Sequence, residues 1–369
     1  MANNNDNKVL NVPALRFPEF TEEWNYESLD TIAPNITSGR SKPSLGEYNL
    51  YGSTGIIGKT ATADYSGDML LVARVGANAG SLQLVNDSCG ITDNTLIIKP
   101  CKLSSHYLYF YLQHYNLNRL VFGSGQPLIT AGMLKKVRIP FGNQLEQKKI
   151  ENFLCCIDER ITTQNKIIEK LETLIKGIVE LAFSHAATSN TLGCYITQIS
   201  QRNKTGKDLP VLSVSNKHGF VEQSEQFEDR IIASDDTSNY KIVDINDFAY
   251  NPARINVGSI ARLKDKECGI VSPMYICFRT SKDILPEYLE LFFKTVTFSF
   301  EVGKRLEGSV RLCLSYESLC EIVIPIISIR EQQSLVKMVT TFHSKLDVEK
   351  GFLSSYQSQK QCLLSQMFI

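Results

Sequence analysis

Residues 143–183 read NQLEQKKIENFLCCIDERITTQNKIIEKLETLIKGIVELAF, and steps of four and three through them pick out Ile150, Leu154, Ile157, Ile161, Gln164, Ile168, Leu171, Ile175, Ile178 and Ala182. The alternation never slips, and Gln164 is its only polar member. Apolar residues repeating every ~3.5 positions form a narrow helical seam that is buried by winding against another helix. The stretch holds no Pro and a single Gly (Gly177), and its other faces carry charges such as Lys148, Glu151, Lys166, Glu169 and Lys176. At ~1.5 Å per residue it makes a rod of roughly 60 Å. A rod of that length needs a partner of matching length.

An internal repeat supplies the partner. A shift of 185 residues carries Val137-Arg138-Ile139-Pro140 onto Ile322-Val323-Ile324-Pro325 and Glu146-Gln147 onto Glu331-Gln332. The same shift brings Gly123-Ser124 onto Gly308-Ser309, Leu134 onto Leu319 and Phe183 onto Phe368. The seam then falls on Leu335, Val339, Phe342, Leu346, Glu349, Leu353, Tyr356, Lys360, Leu363 and Met367, where Glu349 and Lys360 interrupt it. Farther upstream the shift drops to 179 or 178, pairing Asp68 with Asp247, Gly80-Ser81 with Gly258-Ser259 and Cys89-Gly90-Ile91 with Cys268-Gly269-Ile270. The change implies a small insertion in the second half, between those strands and the helical strip.

The fold class expected is therefore α+β, with two mixed α/β domains separated by two long helices. After a disordered lead-in (1–14), a first domain spans 15–141, a central helix 142–186, a second domain 187–326 and a C-terminal helix 327–369. The second domain lies between the rods, so the favoured arrangement is an intramolecular antiparallel coiled coil with a pseudo-twofold axis. Strands are expected at Asp68–Val75, Ser81–Val85 and Thr95–Lys99, and in the second domain at Leu209–Val214, Asp247–Tyr250, Ser259–Leu263 and Met274–Phe278. Helices are expected at Ser104–Tyr115 and Pro286–Val296, a polar linker at Ser184–Asn190, and Gly/Ser punctuation at Gly52–Gly58, Gly76–Gly80 and Gly123–Gly125.

The totals exclude more than they assign. A chain of 369 residues, 43% hydrophobic, is long enough for about two domains with proper cores. Its 39 basic and 39 acidic residues cancel, so bulk charge points neither to nucleic acid nor to membrane, although a local patch can still steer a ligand. Ten cysteines include no CxxC and no zinc-like Cys/His spacing. Such usage, with no signal-peptide core at the start and no apolar run near the ~20 residues of a membrane helix, fits a reducing cytoplasm.

No catalytic set emerges. Gly52-Ser53-Thr54-Gly55-Ile56-Ile57-Gly58-Lys59-Thr60 approaches a phosphate-binding loop, but five residues separate Gly52 from Gly58 and no buried aliphatic strand precedes it. A Gly-rich turn or hairpin is the simpler reading, with a DNA-contacting loop as a third. Asn251-Pro252-Ala253-Arg254 lacks the second Pro and the aromatic of the amino-methyltransferase motif. The histidines (His106, His114, His185, His218, His343) are dispersed, and the acidic pairs Glu228-Asp229 and Asp235-Asp236 sit in polar loops.

Two polar surfaces remain. The first draws on Arg40, Lys42, Tyr51, Ser53, Thr54, Arg74 and Asn78; the second on Arg202, Lys204, Asn216, Lys217, Arg254, Asn256, Lys304, Arg305 and Arg311. Arg and Asn pair bidentately with guanine and adenine in the major groove, while Lys and Ser hold phosphates.

At this point the chain resembles the specificity (S) subunit of a type I restriction–modification system. The resemblance rests on Leu15-Arg16-Phe17-Pro18-Glu19-Phe20, Tyr51–Gly58, Arg74-Val75-Gly76-Ala77-Asn78-Ala79-Gly80, Thr92-Asp93-Asn94-Thr95, and the twice-present Ile-Pro…Glu-Gln strip before a long helix. It implies two target-recognition domains, each reading one half of a split double-stranded DNA site, and helices that act as a ruler. It also implies that two modification subunits dock on the helices with S-adenosylmethionine. Restriction subunits, where present, bring ATP and Mg, and this chain itself holds no cofactor or metal and is not an enzyme. A protein-binding adaptor without DNA readout, and a nucleotide-binding enzyme using Gly52–Thr60, are the competing classes.

Overall fold

The computed structural model describes residues 11–121, 127–184, 188–223, 237–308 and 311–369. Residues 1–10 of the lead-in, the cluster Gly123–Gly125, part of the linker (185–187), the repeat position Ser309 and the acidic pairs Glu228-Asp229 and Asp235-Asp236 lie outside them. The chain divides into two compact units, residues 1–166 with 350–369 and residues 167–349, so the boundary falls within both long helices.

In the first unit the chain order is β1 (Asn25–Ser28), α1 (Leu29–Ile32), β2 (Thr37–Ser38), β3 (Tyr48–Gly52), β4 (Gly55–Thr60), β5 (Asp68–Ala73), β6 (Leu82–Asn86), β7 (Gly90–Ile91), β8 (Thr95–Ile98), α2 (Ser105–Tyr115), α3 (Ala131–Lys135), β9 (Arg138–Phe141) and the start of α4 (Gln144–Ser184). Three sheets form, in the orders β1-β9, β2-β8-β5-β6 and β4-β3-β7. β5 lies inside its sheet and is covered on both faces. Leu70 and Val72 point into the core shared with α2, while Met69 and Leu71 point into a second core with Val85, Cys89 and Ile91. The period-2 alternation of a strand makes this division.

The second unit repeats the plan with β10 (Thr188–Thr191), β11 (Ile196–Ile199), β12 (Val211–Ser215), β13 (Gly219–Glu222), β14 (Lys241–Asp244), β15 (Phe248–Tyr250), β16 (Ile260–Arg262), β17 (Cys268–Val271), β18 (Ile276–Thr280), α5 (Pro286–Phe292), α6 (Val296–Arg305), α7 (Tyr316–Cys320), β19 (Val323–Ile326) and α8 (Ile329–Met367). Its sheets run β10-β19, β11-β18-β15-β16 and β13-β12-β17-β14, the same orders with β14 added at an edge. In the first unit that added strand shrinks to the single bridge Tyr65↔Cys89. The inferred insertion falls at α6, whose described counterpart in the first unit is the short turn Leu117–Leu120. Helix α5 is shorter than expected, ending at Phe292, and α6 is a separate helix capped by Thr295.

The repeated strip is held by repeated contacts. Tyr107 Oη donates to the Pro140 carbonyl (3.0 Å), and Tyr288 Oη donates to the Pro325 carbonyl (2.8 Å). Both prolines lie in two-stranded sheets, where a strand without an N–H is tolerated. Gln147 Nε2 donates to the Gly142 carbonyl and Gln332 Nε2 to the Ile327 carbonyl, at 2.8 and 3.0 Å. The helix starts then diverge. Ser328 and Glu331 form a reciprocal capping box, with the Ser328 N–H donating to Glu331. At α4 the Asn143 side chain caps the Glu146 N–H, and the Glu146 carboxylate turns inward instead. It is fully buried, paired bidentately with Nε and Nη2 of Arg16 at 2.6 and 2.8 Å and hydrogen-bonded by Trp24 Nε1 at 3.0 Å. The described end of the lead-in is also held, against the disorder expected through Ala14. The Asn11 carbonyl accepts from the Trp24 N–H, and Pro13 is buried.

Along both helices every seam residue is buried or half-buried and none is exposed. Gln164 and Glu349, one repeat apart, are both buried polar positions. Lys360, read as an interruption, is satisfied in place. Its ammonium pairs with Asp158 at 2.6 Å and stands over the rings of Tyr109 and Phe110. In the first unit Phe368 packs on Trp24, Tyr107 and Tyr111. In the second unit its counterpart Phe183 packs on Tyr288 and Phe292.

Removing one partner of a buried ion pair leaves an uncompensated charge, at a cost of about 3–5 kcal/mol. Arg16→Met should therefore lower the opening free energy of the first turns of α4 by about that amount, read by hydrogen exchange of amides 146–157. Unchanged protection would show that Arg16 does not hold Glu146.

Candidate nucleic-acid interface

The stretch Tyr48–Thr60 is a hairpin, β3 paired antiparallel with β4 around a turn at Gly52–Gly55. No helix follows Gly58, and the Lys59 ammonium is spent on Asn49 Oδ1 (2.8 Å) and the Glu47 carbonyl (3.1 Å). The phosphate-loop reading fails on both counts, because such a loop opens a helix and aims its Lys at the phosphates. Gly55 has a φ of 114°, which explains a glycine at the turn.

The hairpin tip is pinned to its domain. Gln83 Nε2 donates to the carbonyls of Gly52 and Ser53 (2.9 and 3.1 Å), and Ser53 Oγ reaches the Asn94 carbonyl at 3.4 Å. The same carbonyl accepts the Arg74 N–H, and Tyr51 and Thr92 share a backbone bond. Gly39 and Ser41 donate to the carbonyls of Thr95 and Ile91, which brings Arg40 to this edge. Thus Arg40, Tyr51, Ser53, Thr54, Arg74 and the loop with Asn78 gather around Thr92–Thr95. Arg40, Lys42, Thr54 and Asn78 are exposed; Tyr51, Ser53 and Arg74 are half-buried. Burial, with the neighbouring Asp87 carboxylate, raises the Tyr51 phenol above its ordinary value, so it stays a protonated donor. Asn49 holds Asp87 below the usual carboxylate range. The Arg74 Nε and Thr95 Oγ1 are buried with no hydrogen-bond partner among the described residues, and a buried polar atom without a partner is costly.

In the second unit the corresponding tip is Ser215–Gly219, the turn between β12 and β13. A Cβ built on Gly219 would stand 3.7 Å from Ala261, and one on Gly258 would stand 3.8 Å from Asn216. Tip and loop therefore form one surface carrying Asn216, Lys217, Arg254 and Asn256, all exposed. Ala261 occupies the place of Gln83, and with no side chain to pin the tip a cavity of about 530 Å³ opens beneath it. Its wall holds a charge network that sequence reading missed. Glu290 accepts from Arg262 Nε (3.0 Å) and from Lys264 (2.5 Å) and lies 3.4 Å from Lys294. Lys264-Asp265-Lys266 was the available signal, but only the fold brings Lys264 against Glu290 of α5, while Lys266 pairs with Glu222. Asn251, seen in the sequence as part of a broken methyltransferase motif, makes a turn, with Oδ1 accepting from the Ala253 N–H at 3.1 Å. Arg202 is tied to Asn239, while Lys304 and Arg305 are both paired with Glu301. Lys204 and Arg311 are exposed.

Residues 9–173 match the family model described as the type I restriction modification DNA specificity domain. The match spans the first mixed domain and most of α4. The fold matches across almost the whole length. The S subunit of a type I restriction–modification system from M. genitalium is 20% identical, with a TM-score of 0.61 over 97% of this chain and 99% of that one. A chain from a structure of type I R-M complex assembly and conformational transition is 14% identical, with a TM-score of 0.55 over 94% and 97%. No curated protein sequence matches the chain. No described helix is long and apolar enough to cross a membrane.

Burial pushes the Glu290 carboxyl upward, but Lys294, Lys264 and Arg262 outweigh it, and the group titrates below its ordinary value. Its contribution to stability is then full above the unfolded value of about 4.3 and is lost as pH falls through the lower folded value. Protection of the β16 amides should fall with acid below pH ~4 in the wild type. In Glu290→Gln it should be weaker at neutral pH and flatter with acid. A parallel acid profile in the variant would rule Glu290 out as the titrating group.

Proposed function

We propose that the chain reads a bipartite double-stranded DNA site. One half is read by the first unit's face at Arg40, Lys42, Tyr51, Ser53, Thr54, Arg74 and Asn78. The other is read by the second unit through Arg202, Lys204, Asn216, Lys217, Arg254, Asn256 and Arg311. Lys304 and Arg305 share one carboxylate, Glu301, and so keep a net positive charge for phosphate attraction. The observation that carries this reading is the repetition of the hairpin tip and the β5–β6 loop in both units, each time with exposed polar side chains. Side chains that differ between the two faces give half-sites that differ.

The two long helices set the spacing as an intramolecular antiparallel coiled coil and dock two modification subunits. The reciprocal placement of Phe368 on Tyr107 and Phe183 on Tyr288 supports the antiparallel sense, as does the Lys360–Asp158 pair. The partners supply S-adenosylmethionine and adenine methylation, and restriction subunits, where present, supply ATP and Mg. The complex works in the cytoplasm. The assembly structure among the fold matches concerns a type I system, which favours this reading over a protein-only adaptor.

Sequencing of modified adenines in cells carrying the chain and its modification partner should return a split motif with a fixed gap. A continuous motif, or no methylation, would refute the proposal. Ile161→Asp with Ile168→Asp places two charges in the seam. The pair should abolish assembly with the modification subunits, read by gel filtration, while hydrogen exchange in β5 and β15 stays at wild-type levels. Intact assembly would contradict the docking role.

A further inference from the structure

The connection from β5 to β6 and the connection from β15 to β16 are one loop built twice. The Ala73 N–H donates to the Ser81 carbonyl at 2.9 Å, and the Asn251 N–H to the Ser259 carbonyl at 3.0 Å. The Ala79 N–H donates to Gly76 and the Val257 N–H to Arg254, at 3.0 and 3.2 Å. Gly80 and Gly258 close the two loops at φ 93° and 87°. In this register Gly76 faces Arg254, Ala77 faces Ile255 and Ala79 faces Val257, but Asn78 faces Asn256.

Backbone geometry gives no reason for the shared asparagine. Asparagines earn structural places by adopting the left-handed region or by capping a turn. Asn116 and Asn246 do the first, at φ 55° and 71°, and Asn251 does the second. Asn78 and Asn256 do neither: their φ is not positive, and their amides have no hydrogen-bond partner among the described residues. Both side chains are exposed at the tip of a loop whose backbone is fixed by other groups.

We infer that Asn78 and Asn256 each read an adenine, one in each half-site. The inference rests on the DNA-reading role proposed above. A primary amide presents a donor and an acceptor side by side, the complement of adenine N7 and N6–H₂ in the major groove. A guanine reader would carry Arg, and a phosphate anchor would carry Lys or Ser. The adenine read is not the adenine modified, because a base undergoing chemistry leaves the stack while a base held on its major-groove edge stays in it. The two half-sites thus share one adenine contact and differ elsewhere, since the tips beside the loops are Ser53-Thr54 in one unit and Asn216-Lys217-His218 in the other.

The test uses the full chain co-expressed with its modification partner. The wild-type methylation motif is read first; a motif that is not split refutes the DNA-reading proposal itself. Duplexes of that motif are then made with 7-deazaadenine, which lacks the N7 acceptor, at each unmodified adenine in turn. Binding by the assembled wild-type complex should drop roughly ten- to one-hundred-fold at one adenine in each half-site. In Asn78→Ala the penalty should vanish in one half-site only, and in Asn256→Ala in the other only. Lys217→Ala should keep both penalties and lower affinity for every duplex alike. A split motif whose 7-deazaadenine penalties persist in both asparagine variants, or vanish in neither half selectively, overturns the inference. Circular dichroism melting of each variant complex confirms that loss of discrimination is not loss of fold.

Discussion

The Glu146 carboxylate has no water to turn to. Arg16 and Trp24 satisfy it, and Gly142 stands so close that any side chain there would collide with the carboxylate. This one site fixes three things at once. It fastens the N-terminal segment across the first turn of α4, where Phe17 then packs edge-on to Phe153 and Lys149 covers the Phe17 ring. It sets the point at which β9 ends and the helix begins. It also orients the helix so that Ile150 and Leu154 enter the domain core. In the second unit the neighbouring residue of the same dipeptide takes over. Gln332 is fully buried and bonded to Leu285, Asp283 and Ile327, while Glu331 stays outside as a cap. A neutral amide and a paired carboxylate thus solve the same junction, and the amide does so without the desolvation cost of an ion.

From these junctions the polar loops follow. The aromatic helices pack on the domain sheets and are tied by the Tyr-to-Pro carbonyl bond to the separate two-stranded sheets, so the strands that carry the loops have a rigid backing. A reading surface needs this rigidity, because bidentate pairing tolerates little displacement. The two units use it differently. Gln83 locks the first hairpin tip, whereas Ala261 leaves the second over a cavity walled by Glu290 and its cations. One exchange at an equivalent position therefore gives two faces of unlike shape on one plan.

The long helices, the repeat and the alternation of strand-forming and turn-forming segments are all set by local pattern. Periodicity needs only the chain itself, and a seam of 3.5 spacing, a strand such as Asp68–Ala73 and a capped helix such as Ser105–Tyr115 carry their signatures in order. That is why the two long helices, the mixed strand and helix content and the loop at Gly76–Gly80 were legible without coordinates. The hairpin Tyr48–Thr60 was ambiguous, since its glycines suit both a turn and an anion loop. The partner of Lys59, which decides the matter, is close in space through strand pairing.

What only the tertiary structure decided are the relations between residues far apart in the chain. Arg16 meets Glu146, Lys360 meets Asp158, and Arg262 and Lys264 meet Glu290. In each case a charge that reads as solvated surface, or as a flaw in the seam, is a satisfied partner. The same holds for the candidate interface: Arg305 and Lys304 look unengaged in sequence and are paired with Glu301, while the side chains of Asn78 and Asn256 have no partner among the described residues. The sequence alone determined which segments repeat and which faces are apolar, because those properties are periodic and local. Which polar groups are spent on the fold and which are left for a ligand depends on partners that only folding brings within reach.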